Sequence, residues 1–281
     1  MDYRSLLVDL SLQKSVRDAA DQVMNWADVP SIDIVVNSAG VWGTEERTLT
    51  KEGVELHFAT NHIGHWLLTS LIMPKLIKAA EYNPAGTTRI INVTSASPQF
   101  SGMRWSDMNF DKKNKDLPVE EQPNYEWFKY FGLTGVEEMC HVSLDAYSRS
   151  KVANVLFAIE ANKRLFSKYG ILAAAVHPGV ITTELGRNFR PEVLAVLDDA
   201  KAKGLFSTKT LGAGASTSMV AALDPKLAGG VGESKDGSEN WGSYFEDCQI
   251  SGKGHPLAVS SKEAERLWDV SEKVVGQAFS W

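Results

Sequence analysis

Four short apolar runs constrain this chain more than any other feature: RSLLVDL at 4–10, IDIVVNSAG at 32–40, RIINVTS at 89–95 and ILAAAVHPG at 171–179. Each is too brief to cross a membrane as a helix and too continuous for a strand with one wet face. Strands buried on both faces of a parallel sheet read this way. Helical periodicity fills the intervals over about 12–27, 52–80 and 146–168. Further helices are predicted at 191–203, 210–223 and 261–276, with a short strand at 242–246. Such alternation predicts an α/β fold with a doubly wound parallel sheet and right-handed crossovers. No internal repeat or low-complexity tract divides it, so residues 1–281 read as a single domain.

Residues 97–144 break the alternation. This stretch, rich in Trp, Asn, Lys and Pro, separates a strand from the next helix. It is either a surface excursion with short helices of its own or a lid, since long connections at the carboxyl ends of strands often carry function. Residues 225–242, rich in Gly and polar side chains, read as a mobile surface loop. Composition then narrows the function classes. A net charge of −6 gives no basic footprint for nucleic acid. No apolar run reaches membrane-spanning length, and MDYRSLLVDLSLQ lacks the basic-then-apolar pattern of a secretion signal. Cys140 and Cys248 are therefore expected as reduced thiols in a cytoplasmic protein.

The stretch DAYSRSKVANVLFAIEANKRL (145–165) sets Tyr147 and Lys151 four residues apart. On a helix that spacing leaves them about 40° apart and facing the same side. The pattern alone is weak: with seven tyrosines in 281 residues, chance supplies about half a Tyr-x-x-x-Lys match, and Tyr125 with Lys129 is a second one. Context separates them. Tyr147 opens an uninterrupted helical pattern with Val152, Val155, Leu156 and Ile159 on one stripe, whereas Tyr125 is boxed between Pro123 and Gly132. A phenol titrates near 10, and an ammonium within roughly 4–6 Å favours its charged form. Ser95, at the end of a buried strand, offers a hydroxyl where open α/β sheets place ligands.

NSAG (37–40), NHIGHW (61–66), RIINVTS (89–95), YSRSK (147–151) and HPGVITT (177–183) occur in the order and rough spacing of the short-chain dehydrogenase/reductase family, which the chain resembles over almost its whole length. The tail, GSYFEDC followed by EAERLWDVSEKVVG, is similar to the branch of retinol dehydrogenases and WW-domain oxidoreductases. The resemblance implies a Rossmann-like sheet and an NAD(P)-dependent oxidoreductase that interconverts a carbonyl and a secondary alcohol on a small lipophilic substrate. Ser95 would hold the substrate oxygen, and Tyr147 would be the general acid or base. Lys151 would lower the pKa of Tyr147 and bind the nicotinamide ribose, while Asn61 would hold a water in a proton relay to Lys151. Asn37, Ala39 and Gly40 would lie against the adenosine side of the cofactor, and Asp9 would hydrogen-bond the adenine. Pro178, Gly179, Val180 and Thr182 would cover the nicotinamide. Homo-oligomers are common in such families, and the 51 residues between Ser95 and Tyr147 exceed the usual interval.

Plainer roles stand beside these. Ser95 also suits a strand-end cap, Asn61 a helix start, and Asp9 the N-terminal cap of helix 12–27. His62 and His65 are three apart on a helix but have no third metal ligand with them, so packing or surface roles fit better. His177 reads as structural in the turn before Pro178. Trp105 and Trp127 line either an apolar substrate site or a satellite core.

In the family pattern the strand matching 4–10 is the third of the sheet. The first two strands, their helices and the Gly-rich turn for the cofactor pyrophosphate are expected to be missing. LGAGAS (211–216), GGVG (229–232) and GKG (252–254) are Gly-rich, but none follows a buried strand and opens a helix. The side chain separating NADP from NAD belongs to the missing part, and the resemblance alone leans to NADP. Without those strands IDIVV becomes a bare edge, unless residues 4–10 slide across to pair with it or another chain fills the gap. The missing turn raises one alternative function, a catalytically inactive relative acting as a binding or interaction module.

Overall fold

The computed structural model describes residues 3–43, 46–187, 189, 191–204, 206–229 and 243–281. In chain order its elements are α1 (Gln13–Met24), β1 (Ile34–Asn37), α2 (Leu56–Phe58), a π-helical turn (Ala59–Ile63), α3 (Gly64–Ala80), β2 (Arg89–Val93), α4 (Tyr125–Tyr130), α5 (Ser143–Tyr169), β3 (Leu172–His177), β4 (Val180–Ile181), α6 (Pro191–Ala202), β5 (Thr208–Lys209), α7 (Leu211–Leu223), β6 (Tyr244–Glu246), β7 (Gln249–Ile250) and α8 (Ser261–Val275). The predicted strands at 32–40, 89–95 and 171–179 and all six predicted helices are present, with shifted ends. The predicted loop at 225–242 lies outside the described residues beyond 229.

The main sheet runs β1-β2-β3-β6-β7. Its first three pairings are parallel, registered by Ile34 on Arg89, Arg89 on Leu172 and Ala175 on Tyr244, and β7 closes it antiparallel to β6. All six residues of β3 are buried, as a strand covered on both faces requires. Alternation divides the strands between two cores. Ile90, Ala173, Ala175 and Tyr244 join the large cluster with α3, α5 and α8, while Ile91, Ala174, Val176 and Phe245 join a smaller one with Ala221 and Ala222 of α7. The sheet is thus doubly wound. No helix among the described residues is long and apolar enough to cross a membrane.

One predicted strand is absent. Residues 4–10 form no strand and pair with no part of β1. Leu6, Val8 and Leu10 pack against the large core while Tyr3 and Leu7 face water, Leu7 with 96% exposure. The alternation is real, but its inner face lies partly on a helix: the Leu10 carbonyl comes so close to Gly64, at the start of α3, that an added Cβ would lie 2.3 Å away. The outer edge of β1 is bare among the described residues, as expected, and Val36 is 49% exposed.

The 97–144 segment is a built block of short turns around α4, with a small core of Phe128, Val136 and Val142. Two buried arginines fasten it. Arg104 bonds Asp107, Asn114 and the Lys112 carbonyl; Arg149 of α5 bonds Asp145 and the carbonyls of Gly102 and Glu121. Removing one partner of a buried pair of this kind costs roughly 3–5 kcal/mol, so the block is held firmly against α5. Both cysteines are free thiols.

Candidate active site

Ser95 stands two residues beyond β2, held on both sides. Its hydroxyl accepts the Ser97 N–H at 3.0 Å, and its carbonyl accepts the Tyr244 hydroxyl at 2.9 Å. Gln99 Nε2 in turn donates to the Tyr244 oxygen at 3.2 Å. Ser95 is therefore a strand-end cap whose oxygen, while accepting from Ser97, still has its own proton to give. It faces the Tyr147 phenol and favours that group's charged form.

The helical spacing of Tyr147, Lys151 and Asn154 turns one face of α5 toward this strand end. Lys151 Nζ donates to the Val93 carbonyl at 3.0 Å, Asn154 Nδ2 donates to the same oxygen at 3.1 Å, and Thr94 Oγ1 donates to the Lys151 carbonyl at 2.6 Å. Asn92 Nδ2 adds a bond to the Asn154 carbonyl at 3.2 Å. Tyr147 and Lys151 are both buried, and the ammonium lies 5.6 Å from the phenol ring centroid.

The electrostatics depart from the sequence expectation. Burial pushes the Tyr147 phenol well above its ordinary range, and only the Ser95 hydroxyl works against it. Lys151 is itself pulled down to about 8 by burial. Desolvation thus dominates the phenol, and no lowering by Lys151 accompanies it, so the proton stays on Tyr147 at neutral pH.

Asn61 lies in the π-helical turn rather than at a helix start, and such turns recur at functional sites because they re-aim one side chain. Its Oδ1 accepts the Val41 N–H at 2.8 Å, and its Nδ2 donates to the Val41 carbonyl at 3.1 Å and to Ser150 Oγ at 2.9 Å. Gly40 passes so close that a Cβ there would stand 3.3 Å from Asn61 Oδ1 and 3.4 Å from Lys151 Nζ. Asn61, Gly40, Lys151, Tyr147 and Ser95 are thus gathered at the carboxyl ends of β1 and β2.

The other expected ligands are scattered around those strand ends. Asn37 turns its side chain inward, donating to Asn92 Oδ1 at 2.9 Å and Thr69 Oγ1 at 3.1 Å; Ala39 is exposed. Pro178, Gly179, Val180 and Thr182 leave the end of β3, with Gly179 at φ +86° and the Lys209 side chain against its Cα. Asp9 neither ends a strand nor caps α1: its carboxylate accepts Ser11 N–H at 2.9 Å and Ser11 Oγ–H at 2.7 Å in a turn before the helix. LGAGAS does open α7, but after the short β5, and Gly214 there makes room for Ile181. Among the described residues no Gly-rich turn leads from a buried strand into a helix.

The remaining polar and aromatic candidates are structural. His62 bonds Ser271 Oγ at 2.8 Å and His65 bonds the Asn61 carbonyl at 3.1 Å; burial lowers them to about 3 and about 4. His177 accepts the Gly179 N–H at 3.4 Å. Trp105 bonds Glu263 of α8, and Trp127 stacks on Phe100 at 4.5 Å, so the two tryptophans serve separate satellite contacts. Glu55, His57 and His141 lie within 4.8 Å of one another. Both Glu55 oxygens are engaged, by His57 Nδ1 at 2.7 Å and the Phe58 N–H at 2.9 Å, which is a hydrogen-bonded helix start and not an open ligand set. Sequence reasoning missed Tyr244, Gln99 and, above all, Trp42, which stacks on Tyr147.

The short chain dehydrogenase family model matches residues 2–107. Retinol dehydrogenase 14 of Homo sapiens is 30% identical over 96% of this chain, which spans 66% of that relative's length. Retinol dehydrogenase 12 of Mus musculus is 32% identical over 96% of the chain and 68% of its own length. The crystal structure of an uncharacterized protein from Mycobacterium paratuberculosis superposes with a TM-score of 0.53 at 21% identity, covering 98% of this chain and 76% of that one.

Proposed function

Because this chain belongs to the short-chain dehydrogenase family, we propose that it is a nicotinamide-dependent oxidoreductase interconverting a carbonyl and a secondary alcohol on a small lipophilic substrate. The observation that supports this most is the meeting of Ser95, Tyr147 and Lys151 at the carboxyl end of β2. The retinol named in two relatives is likewise a lipophilic alcohol, although a primary one.

Ser95 holds the substrate oxygen, and the protonated Tyr147 gives it a proton in reduction. In the reverse direction Tyr147 takes the proton back, which a positive charge brought near the phenol favours. Lys151, near its titration point, bonds ribose hydroxyls or passes a proton inward. Asn61 fixes the Gly40–Val41 loop over Lys151, and the missing side chain at Gly40 lets the loop pass within contact of both. Ala39 and the backbone after Asn37 flank the adenosine side, and Pro178–Thr182 cover the nicotinamide. A nicotinamide dinucleotide bound there supplies the hydride. Asp9 enters only by releasing Ser11. The Lys151 ammonium beside Gly40 suits the ribose of such a cofactor.

Titration of the purified chain with NADPH and NADH, read by fluorescence and by thermal melting, tests the reading. A ligand that binds only the folded chain stabilises it by about 2.7 kcal/mol at a hundredfold excess over its Kd. Saturable binding with a raised Tm is expected, tighter for NADPH; a folded chain that binds neither contradicts it.

A further inference from the structure

Tyr244 is fully buried on β6, yet its hydroxyl is engaged at the end of β2, across the whole of β3. The register sets Tyr244 opposite Ala175 of β3, and a lone methyl there lets a phenol extend past that strand. The hydroxyl donates to the Ser95 carbonyl at 2.9 Å. Its neighbours fix the direction of that bond. Gln99 Nε2 lies 3.2 Å from the Tyr244 oxygen and 3.3 Å from Glu246 Oε2. A carboxylate only accepts, so the amide nitrogen faces both oxygens and donates one of its two N–H groups to the phenol. The single proton of the phenol is left for Ser95. Burial pushes that phenol well above its ordinary range, so it keeps the proton at neutral pH.

The two partners differ in how firmly their backbones are held. Tyr244 sits in the ladder: Ser251 N–H donates to its carbonyl at 2.8 Å, and Ala175 N–H donates to the Ser243 carbonyl at 2.6 Å. Ser95 lies outside β2, just past Thr94, whose N–H donates to the Val176 carbonyl at 2.9 Å. Its hydroxyl is anchored by Ser97 of its own turn and its carbonyl by Tyr244. Without the second anchor the peptide after Ser95 can rotate, and the hydroxyl swings with it.

We propose that Tyr244, aimed by Gln99, is a positioning residue that holds the Ser95 hydroxyl facing Tyr147 from across the sheet. The proposal rests on the oxidoreductase reading and deepens it, since a group displaced by about 1 Å from its productive place can lower a rate roughly 10²-fold.

The full chain, isotope-labelled at tyrosine Cζ, reports on this by NMR without turnover. The Tyr147 resonance, assigned by its loss in Tyr147→Phe, responds to the hydroxyl that faces its oxygen. Ser95→Ala and Tyr244→Phe should each move it in the same direction, and the double variant no further than Ser95→Ala, because both act through one hydroxyl. A role confined to packing would lower the Tm and leave the resonance in place. Gln99→Leu should move it the same way by less, and it decides the question if Tyr244→Phe does not fold. A resonance unmoved in the folded variants, or shifts that add in the double variant, overturns the proposal. With acetophenone and NADPH, Tyr244→Phe should lower kcat roughly ten- to a hundredfold with little change in KM, and have no further effect in Ser95→Ala. The two readings fail separately. Turnover lost in Tyr147→Phe, with the resonance unmoved in Tyr244→Phe, refutes the role of Tyr244 alone. The expected resonance shifts without any NADPH-dependent turnover refute the oxidoreductase reading alone.

Discussion

At the carboxyl end of β2, Asn92, Val93 and Thr94 each bond to α5, which fixes the Lys151 and Asn154 side chains there. Along β1 of the same sheet, Val36 is 49% exposed, and no described strand pairs with the outer edge. The first region is over-determined: the Val93, Ser95, Lys151 and Asn154 carbonyls around it each already accept a hydrogen bond. The second is under-determined, with packing on one side only. The candidate site residues Ser95, Tyr147 and Lys151 lie in the first, and the second carries the loop toward Gly40. Positioning of Tyr147 and Lys151 therefore does not depend on pairing at the outer edge of β1.

The larger expected effect comes from the over-determined region. Burial lowers Lys151 from 10.5 to about 8, so keeping the ammonium charged at pH 7 costs the fold roughly 3 kcal/mol. The sign follows from proton counting. Between pH 8 and 10.5 the unfolded chain holds a proton that the folded chain has lost, so stability rises with pH through that window; below pH 8 the cost is fully present. Lys151→Met should raise stability at pH 7 by up to that amount and remove this residue's part of the pH slope, as urea melts at pH 7 and 10 would record. Asn154 still serves the Val93 carbonyl in the variant. A destabilised Lys151→Met would show that the ammonium holds the end of β2 together, and the contrast with the edge would shrink.

The smaller effect belongs to the edge. Val36→Lys places a charge where strands are commonly protected from edge pairing. Monomer stability should change by no more than about 0.5 kcal/mol, while sedimentation at high concentration should show less self-association. Unfolding of Val36→Lys would mean that the edge is covered in solution.

Legibility in the sequence follows the same division. β1, β2 and β3 and the long helices were readable because two-faced burial and helical stripes extend over many residues. Tyr147 and Lys151 were readable because four residues on a helix return to one face. Residues 4–10 misled because apolar alternation at Leu6, Val8 and Leu10 serves a strap packed on a helix as well as a strand. The buried Arg104 and Arg149 left no mark in the pattern, since their partners are carbonyls and distant side chains that only folding brings near. Trp42 was equally invisible: nothing in NSAGVW says that the indole will cover a phenol more than a hundred residues later. The raised phenol follows from burial, which periodicity does not rank.

The most direct test is turnover of an aryl ketone with NADPH or NADH by the wild type and Tyr147→Phe, measured side by side with their melts. Phenylalanine keeps the ring under Trp42 and removes only the oxygen that meets Ser95. A positioned general acid contributes about 10²–10⁴ in rate, so turnover should fall by at least roughly a hundredfold while the Tm moves by only a few degrees. A Tyr147→Phe chain that melts like the wild type and turns over within a few fold of it would contradict the assignment of the proton to Tyr147.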